Sequence, residues 1–311
     1  MIISASRRTD IPSYYSEWFM NRIKEGFALV RNPIAIHQVS RIKLVPDVVD
    51  GIVFWTKNPI PMLGRLDELS DYTYYFQFTV TPYGKNLEPN IPLKNDAILS
   101  SFKQLSDMIG PDRIIWRYDP ILLSEKYTAK YHARAFEKIA YTLHNHTRKV
   151  TISFIDVGYR GVKSNMKKLA LQDFPVSEQI GISSTLADIA KSYGLKIDTC
   201  AEKIDLQQFG VEHARCIDDR LFGKLLDCHL SINKDKNQRQ ECGCVASVDI
   251  GMYNTCLNGC HYCYANFSSK SVTRNRAKHH PLSPLLSGEI TAEDKITDRE
   301  MKSCCDTLMH L

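Results

Sequence analysis

The sequence predicts an α/β fold: a parallel β/α barrel of six strands, partial or closed, followed by a cysteine-rich segment. Three observations predict it. Short apolar, β-branched runs alternate with stretches of helical periodicity, the pattern of a parallel sheet rather than of hairpins. The runs are apolar almost throughout, as strands covered on both faces are. Each is followed at once by polar residues, at the carboxyl end where parallel barrels and open sheets carry their sites.

The first strand covers residues 1–5 and stops at the polar burst Ser6-Arg7-Arg8-Thr9-Asp10. Pro12 ends regular structure, and a helix around residues 15–24 is closed by Gly26. Residues 34–39 read as an extra strand. The apolar run 51–55 is a buried strand ending in Thr56-Lys57-Asn58, and 74–80 is the third main strand, with Thr79 and Thr81 at its end. From about residue 95 to 109, Ile98, Phe102, Leu105 and Ile109 recur at helical spacing until Gly110-Pro111. Residues 113–116 form strand four, ending in Arg117-Tyr118-Asp119-Pro120. A helix near 129–144 buries Phe136, Ile139, Ala140 and Leu143, and strand five, 150–155, ends at Asp156. A helix from about 178 to 193 is stopped by Gly194, and strand six, 195–199, ends at Cys200 and Glu202. The chain thus divides into a barrel (1–205), a cysteine-rich segment packed on it (206–267) and a basic tail (268–311) read as a solvated linker.

Composition narrows the function classes. A chain of 311 residues with 43% hydrophobic content suits one barrel-sized globular domain. No run of 18 apolar residues exists, and the amino-terminal apolar stretch is too short for a signal peptide, so a cytoplasmic location and no membrane partner are expected. All ten cysteines lie between Cys200 and Cys305, which suggests metal rather than a disulfide scaffold. A net charge of +5 permits nucleic acid as a partner without arguing for it. The histidines form no metal set: His144 and His146 sit at a helix end, and His37 ends the extra strand.

Chemistry concentrates in Cys256-Leu257-Asn258-Gly259-Cys260-His261-Tyr262-Cys263. Three thiols spaced C-x₃-C-x₂-C on one loop can converge on one soft metal centre. No fourth ligand is near in sequence, and an open position marks a catalytic rather than a structural site. Three thiolates on a 4Fe–4S cluster would leave one iron free. With Tyr262 before the last cysteine, the loop resembles the radical SAM superfamily. That resemblance implies a cluster held by Cys256, Cys260 and Cys263, with S-adenosylmethionine bound at the open iron and cleaved reductively to a 5′-deoxyadenosyl radical. It also implies a partial TIM-like barrel, an unknown substrate and an electron donor such as flavodoxin or ferredoxin.

A wider set of motifs runs from Ser6-Arg7-Arg8-Thr9-Asp10-Ile11-Pro12 through Trp55-Thr56-Lys57-Asn58-Pro59 to Asp249-Ile250-Gly251 and Cys263-Tyr264-Ala265-Asn266. It resembles a bacterial domain-of-unknown-function family of radical-SAM-like proteins, which implies no substrate. Two departures stand out. The cysteine loop follows six strands instead of the first, with residues 245–250 read as a further strand feeding it, an order that makes the fold look circularly permuted. The glycine-rich motif for the amino group of S-adenosylmethionine is not evident.

The polar strand ends supply the remaining candidates. Arg7, Asp10, Lys57, Arg117 and Asp119 are candidate catalytic residues, and Arg8, Thr79 and Glu202 candidate cofactor-binding ones, since guanidinium forks and ammonium groups suit carboxylates and phosphates. Structural ion pairs and helix caps are the competing roles at these positions. Cys200, Cys216, Cys242 and Cys244 are candidate ligands of a second cluster or a zinc site, with Cys228, Cys304 and Cys305 unassigned. The expected function is a radical SAM-type iron–sulfur enzyme. The alternatives are a zinc- or cluster-bearing nucleic-acid-binding module without catalysis and an enzyme of nucleic-acid lesion repair.

Overall fold

A computed structural model describes residues 1–159, 162–163, 165, 169–172 and 174–306; the last residues of the expected tail, from 307 on, lie outside the described residues. β1 (Ile2–Ala5) leads through the single turn α1 (Ile11–Tyr14) into α2 (Ser16–Glu25), which ends on Gly26 in the left-handed region. β2 (Phe27–Arg31) and β3 (Gln38–Lys43) pair antiparallel. The extra strand expected at 34–39 is therefore replaced by a hairpin, whose turn contains Pro33, a residue that removes a ladder donor.

β4 (Gly51–Thr56), α3 (Ile60–Leu63), β5 (Tyr74–Thr79), α4 (Leu99–Ile109), β6 (Ile114–Ile121), α5 (Ala129–Leu143), β7 (Lys149–Phe154), α6 (Val176–Ser192) and β8 (Lys196–Thr199) follow. The alternation is the one that the apolar runs predict. Beyond it come β9 (Glu212–His213), α7 (Asp219–Leu226), β10 (His229–Leu230), β11 (Val248–Asp249), α8 (Ser269–Ala277), β12 (Lys295–Asp298) and β13 (Cys305–Asp306).

The main sheet is parallel and has eight strands rather than six, in the order β11-β1-β4-β5-β6-β7-β8-β9. The two beyond the six are edge strands of two residues each: β11 lies within residues 245–250, which read as a further strand feeding the cysteine loop, and β9 is too short to give an apolar run. Among the described residues β11 and β9 do not pair, so the sheet is open.

Side chains alternate across it with a period of two. Ile52, Phe54, Phe76, Phe78, Trp116 and Ile152 join the large core with residues of α2, α4, α5 and α6. Phe54 stacks on Phe76 at 4.8 Å, Phe78 on Phe102 at 4.9 Å and Trp116 on Phe136 at 4.7 Å. Each such pair adds about 1 kcal/mol beyond its area burial. On the opposite face Ile2, Val53, Tyr75 and Ile115 pack against Ile217, Phe222, Leu230 and Val245. The cysteine-rich segment thus covers the face of the sheet opposite these helices. Gly51 permits it, because a Cβ there would stand 2.0 Å from the Phe222 ring.

β6 runs to Ile121 instead of ending at Trp116, so Arg117 and Asp119 are strand residues facing Phe222's side of the sheet, not members of a loop. The stretch read as a solvated linker also differs from expectation. Ser268 caps α8, Asn275 is buried, and β12 pairs with β3. Trp18 Nε1 donates to the Ser283 carbonyl at 2.8 Å, and Leu29 N to that of Pro284 at 2.9 Å. The segment docks largely through main-chain carbonyls, which leave no apolar periodicity to read. Cys228 and Cys305 form a disulfide joining β10 to β13. No helix of the described residues is long and apolar enough to cross a membrane.

Candidate metal centre

The cysteine loop is delivered by β11, which lies beside β1 with Ser4 opposite Asp249. Asp249 ties the two strand ends together. It accepts from Ser4 Oγ (3.0 Å), Ser6 Oγ (2.6 Å), Arg7 N (2.8 Å), Arg8 Nε (2.9 Å) and Gly251 N (3.0 Å). Burial raises its pKa, but Arg8 and these donors outweigh burial and hold the carboxyl below its ordinary value. Arg8 is therefore paired with a residue of the loop's own strand. Arg7 reaches Ser247 Oγ at 3.3 Å and Asp235 at 3.6 Å.

Asp10 holds the loop from the other side. One oxygen caps α1 through Ser13 N (3.1 Å); the other accepts Lys57 N (2.8 Å) and Asn258 Nδ2 (3.0 Å). Asn258 in turn accepts from Tyr14 OH at 2.8 Å. Asp10 thus joins the ends of β1 and β4 to the middle of the cysteine loop. The loop following β5 supplies a third clamp: Asn90 Nδ2 donates to the Leu257 carbonyl (2.6 Å) and His261 N to that of Leu87 (3.0 Å).

Within this frame Cys256, Cys260 and Cys263 lie within electrostatic reach of one another. Burial pushes all three thiols up, and Cys256 and Cys260 are pushed further by the neighbouring sulfurs. Opposing it are N–H donors, from Asn258 to Cys256 and from Ala265 and Asn266 to Cys263, together with the Lys57 ammonium near Cys260 and Cys263. Amide hydrogens and a cation directed at sulfur favour the thiolate, the form that binds metal.

Lys57 is fixed by Glu88, a residue the sequence does not mark. Glu88 accepts from Lys57 Nζ (2.8 Å), Thr81 Oγ1 (2.8 Å), Lys94 Nζ and the Tyr262 hydroxyl. Burial would raise its pKa, but the two ammonium groups hold it at about 2. The aromatic residue of the cysteine motif is thereby anchored to the buried carboxylate, with Lys57 5.5 Å from its ring centre. A single acid in Leu87-Glu88-Pro89 has no spacing to reveal it; only its burial does. Thr79 ends β5 opposite Arg117, and it is Thr81 that reaches the carboxylate.

Arg117 lies over the Trp55 ring at 5.2 Å, pairs with Asp119 at 2.5 Å and donates to Cys216 Sγ at 2.8 Å. Asp119 also accepts from Ser153 Oγ, and Arg117 holds it below the ordinary carboxylate range against the pull of burial. Glu202 accepts Phe154 N at 2.8 Å, and burial pushes its carboxyl up to about 7. Asp119 adds to that shift, so the two acids lie within electrostatic reach of each other.

Among the described residues no three or more His, Cys, Asp or Glu side chains stand ready around a single ion. A lone zinc needs sulfurs about 3.8 Å apart, from its ~2.3 Å bonds; a cluster separates its thiolates more widely, because iron and sulfide lie between them. The loop offers three sulfurs of one short segment, the donor set of a cluster that keeps one iron open. Cys256 is buried and Cys260 and Cys263 half-buried, with amide donors on Cys256 and Cys263, and Asp10, the nearest carboxylate in charge to Cys256, has both oxygens taken by N–H groups.

No curated protein matches the chain. The family model described as Domain of unknown function (DUF1848) matches residues 2–265, and the chain belongs to that family.

Proposed function

We propose that the protein is a radical S-adenosylmethionine-type iron–sulfur enzyme, with Cys256, Cys260 and Cys263 as the protein ligands of a 4Fe–4S cluster. One observation carries the reading: three thiols from one loop, Cys256 buried and Cys260 and Cys263 half-buried, held at the carboxyl edge of a parallel sheet by Asp10, Asn90 and Asp249. When bound, such a cluster with one open iron holds the amino and carboxylate groups of S-adenosylmethionine and supplies the electron that cleaves its sulfonium.

The chain's own residues do the rest. Lys57, near Cys260 and Cys263, and the amide donors on Cys256 and Cys263 offset part of the burial that raises the three thiols, and Glu88 keeps Lys57 in place. Tyr83, Tyr127, Leu122 and Tyr262 form an apolar wall against Cys260 that excludes water. Tyr159 and Tyr264, 5.3 Å apart and each partly exposed, offer flat surfaces to substrate at the mouth. Asp119, ionised, and Glu202, near neutral protonation balance, are acceptor and donor for polar groups of substrate. A small electron carrier such as flavodoxin or ferredoxin is the partner this chemistry requires.

The test is anaerobic incubation of iron-loaded protein with dithionite and S-adenosylmethionine, followed by chromatography. 5′-Deoxyadenosine and methionine are expected, slowly even without substrate, and Cys263→Ala should abolish both. A fully loaded wild-type cluster that yields neither product overturns the proposal.

A further inference from the structure

A second set of thiols lies beside Arg117, unused by the chemistry above. Cys200 follows β8, Cys216 lies beyond β9, and Cys242 and Cys244 form a C-x-C pair. Cys216 Sγ donates to Cys200 Sγ at 3.4 Å. Cys244 lies within electrostatic reach of both Cys216 and Cys242. Other donors are directed at the same sulfurs: Arg117 Nη1 at 2.8 Å from Cys216, Ile217 N at 3.4 Å from Cys244, and the Cys244 amide on Cys242. Cys216, Cys242 and Cys244 are buried and Cys200 half-buried, in the apolar cluster that contains Val53, Ile217 and Phe222.

A buried structural cysteine behaves as a small hydrophobe and needs no donor. Four gathered in one place, with the Arg117 guanidinium on Cys216 and the Ile217 amide on Cys244, form a donor set of the kind that takes a thiophilic metal. Thiolates in an apolar pocket remain there only with enough cationic charge to offset them. Arg117 is already paired with Asp119 and cannot balance four. A thiophilic dication can.

We propose that Cys200, Cys216, Cys242 and Cys244 together ligate a second metal centre, closed by four thiolates, holding either zinc or a 4Fe–4S cluster. The thiols release their protons to solvent as the metal binds. In the arrangement described Cys200 and Cys216 are in contact and the four sulfurs do not surround one point, so metal binding requires the side chains to rearrange. Four protein ligands leave no position for substrate, so this centre is structural. It pins the segment that covers the sheet face opposite the main helices, joining the end of β8 to residues 216–244. The inference does not depend on the radical reading.

The experiment is a count of iron, sulfide and zinc in full-length protein purified anaerobically. In a Cys256→Ala/Cys260→Ala/Cys263→Ala background the first centre has no ligands. About one zinc or about four irons with matching sulfide should remain per chain. Adding Cys242→Ser and Cys244→Ser should remove that remainder. Should the combined variant fail to fold, Cys242→Ser/Cys244→Ser in the otherwise unchanged chain must lose one centre and keep the other. The element lost distinguishes zinc from cluster. A triple variant without bound metal, a double variant with unchanged metal content, or alkylation mapping that finds a Cys200–Cys216 disulfide in the metal-free protein overturns the proposal.

Discussion

Glu88 and His132 show how single buried groups organise their surroundings. Glu88 is 1% exposed and shared by Lys57, Lys94, Thr81 and Tyr262. Glu88→Gln would leave two ammonium groups without their counter-charge, which costs about 3–5 kcal/mol. Urea unfolding at pH 7 measures that loss, and iron content should fall with it as Tyr262 and Lys57 lose their anchor. His132 is a neutral counterpart. Its Nε2–H donates to the Leu122 carbonyl at 2.8 Å, so Nδ1 accepts from Tyr118 OH at 2.8 Å, and burial lowers its pKa from 6.5 to about 4. Below pH 6.5 the unfolded chain takes up a proton that the folded chain refuses until about pH 4. Stability is therefore lost as pH falls through that window, by about 2 kcal/mol at pH 5. His132→Gln should flatten the pH dependence by that amount in urea titrations at pH 5 and 7; parallel curves for variant and wild type would refute the assignment.

The cysteine loop is the element on which the site depends. Gly259 sits at φ +69°, where a Cβ would also approach Asn90 and Pro89 to 3.1 Å. Gly210 has a similar φ of +75° with no neighbour within 4 Å. Gly210→Ala should cost only the left-handed penalty, about 1–2 kcal/mol, without touching the metal. Gly259→Ala should cost more and lower iron loading, because the clamp formed by the loop after β5 must move. Equal unfolding free energies and equal iron in the two variants would show that this clamp does not position the loop. Such a requirement was half legible: the spacing of Cys256, Cys260 and Cys263 is visible in the chain, the approach of Pro89 is not.

At the scale of the whole molecule, the family match ends at residue 265, yet the fold continues. Residues 268–298 add α8 and β12 and cover Trp18, which is fully buried. Truncation after residue 265 should uncover that indole at a cost of about 2–3 kcal/mol from its apolar area alone. A lower thermal midpoint and red-shifted tryptophan emission are expected. An unchanged midpoint and spectrum would make the segment an appendage.

Apolar periodicity by itself determined that the chain is α/β, where its six longer parallel strands and main helices lie, and that polar residues collect at the strands' carboxyl ends. It could do so because burial on both faces of a parallel strand leaves a continuous apolar run, and burial on one face of a helix a recurring one. Cysteine spacing marked the loop. Tertiary structure alone decided that β11 lies against β1 and so places the loop beside Arg8 and Asp10. It also decided that Phe222 packs on the sheet face opposite the main helices, and that Glu88 joins Lys57 to Tyr262. Those facts rest on pairings between residues far apart in the chain. A two-residue strand, a single buried acid or a main-chain carbonyl carries no pattern of its own, and acquires its role only from the partner that folding brings to it.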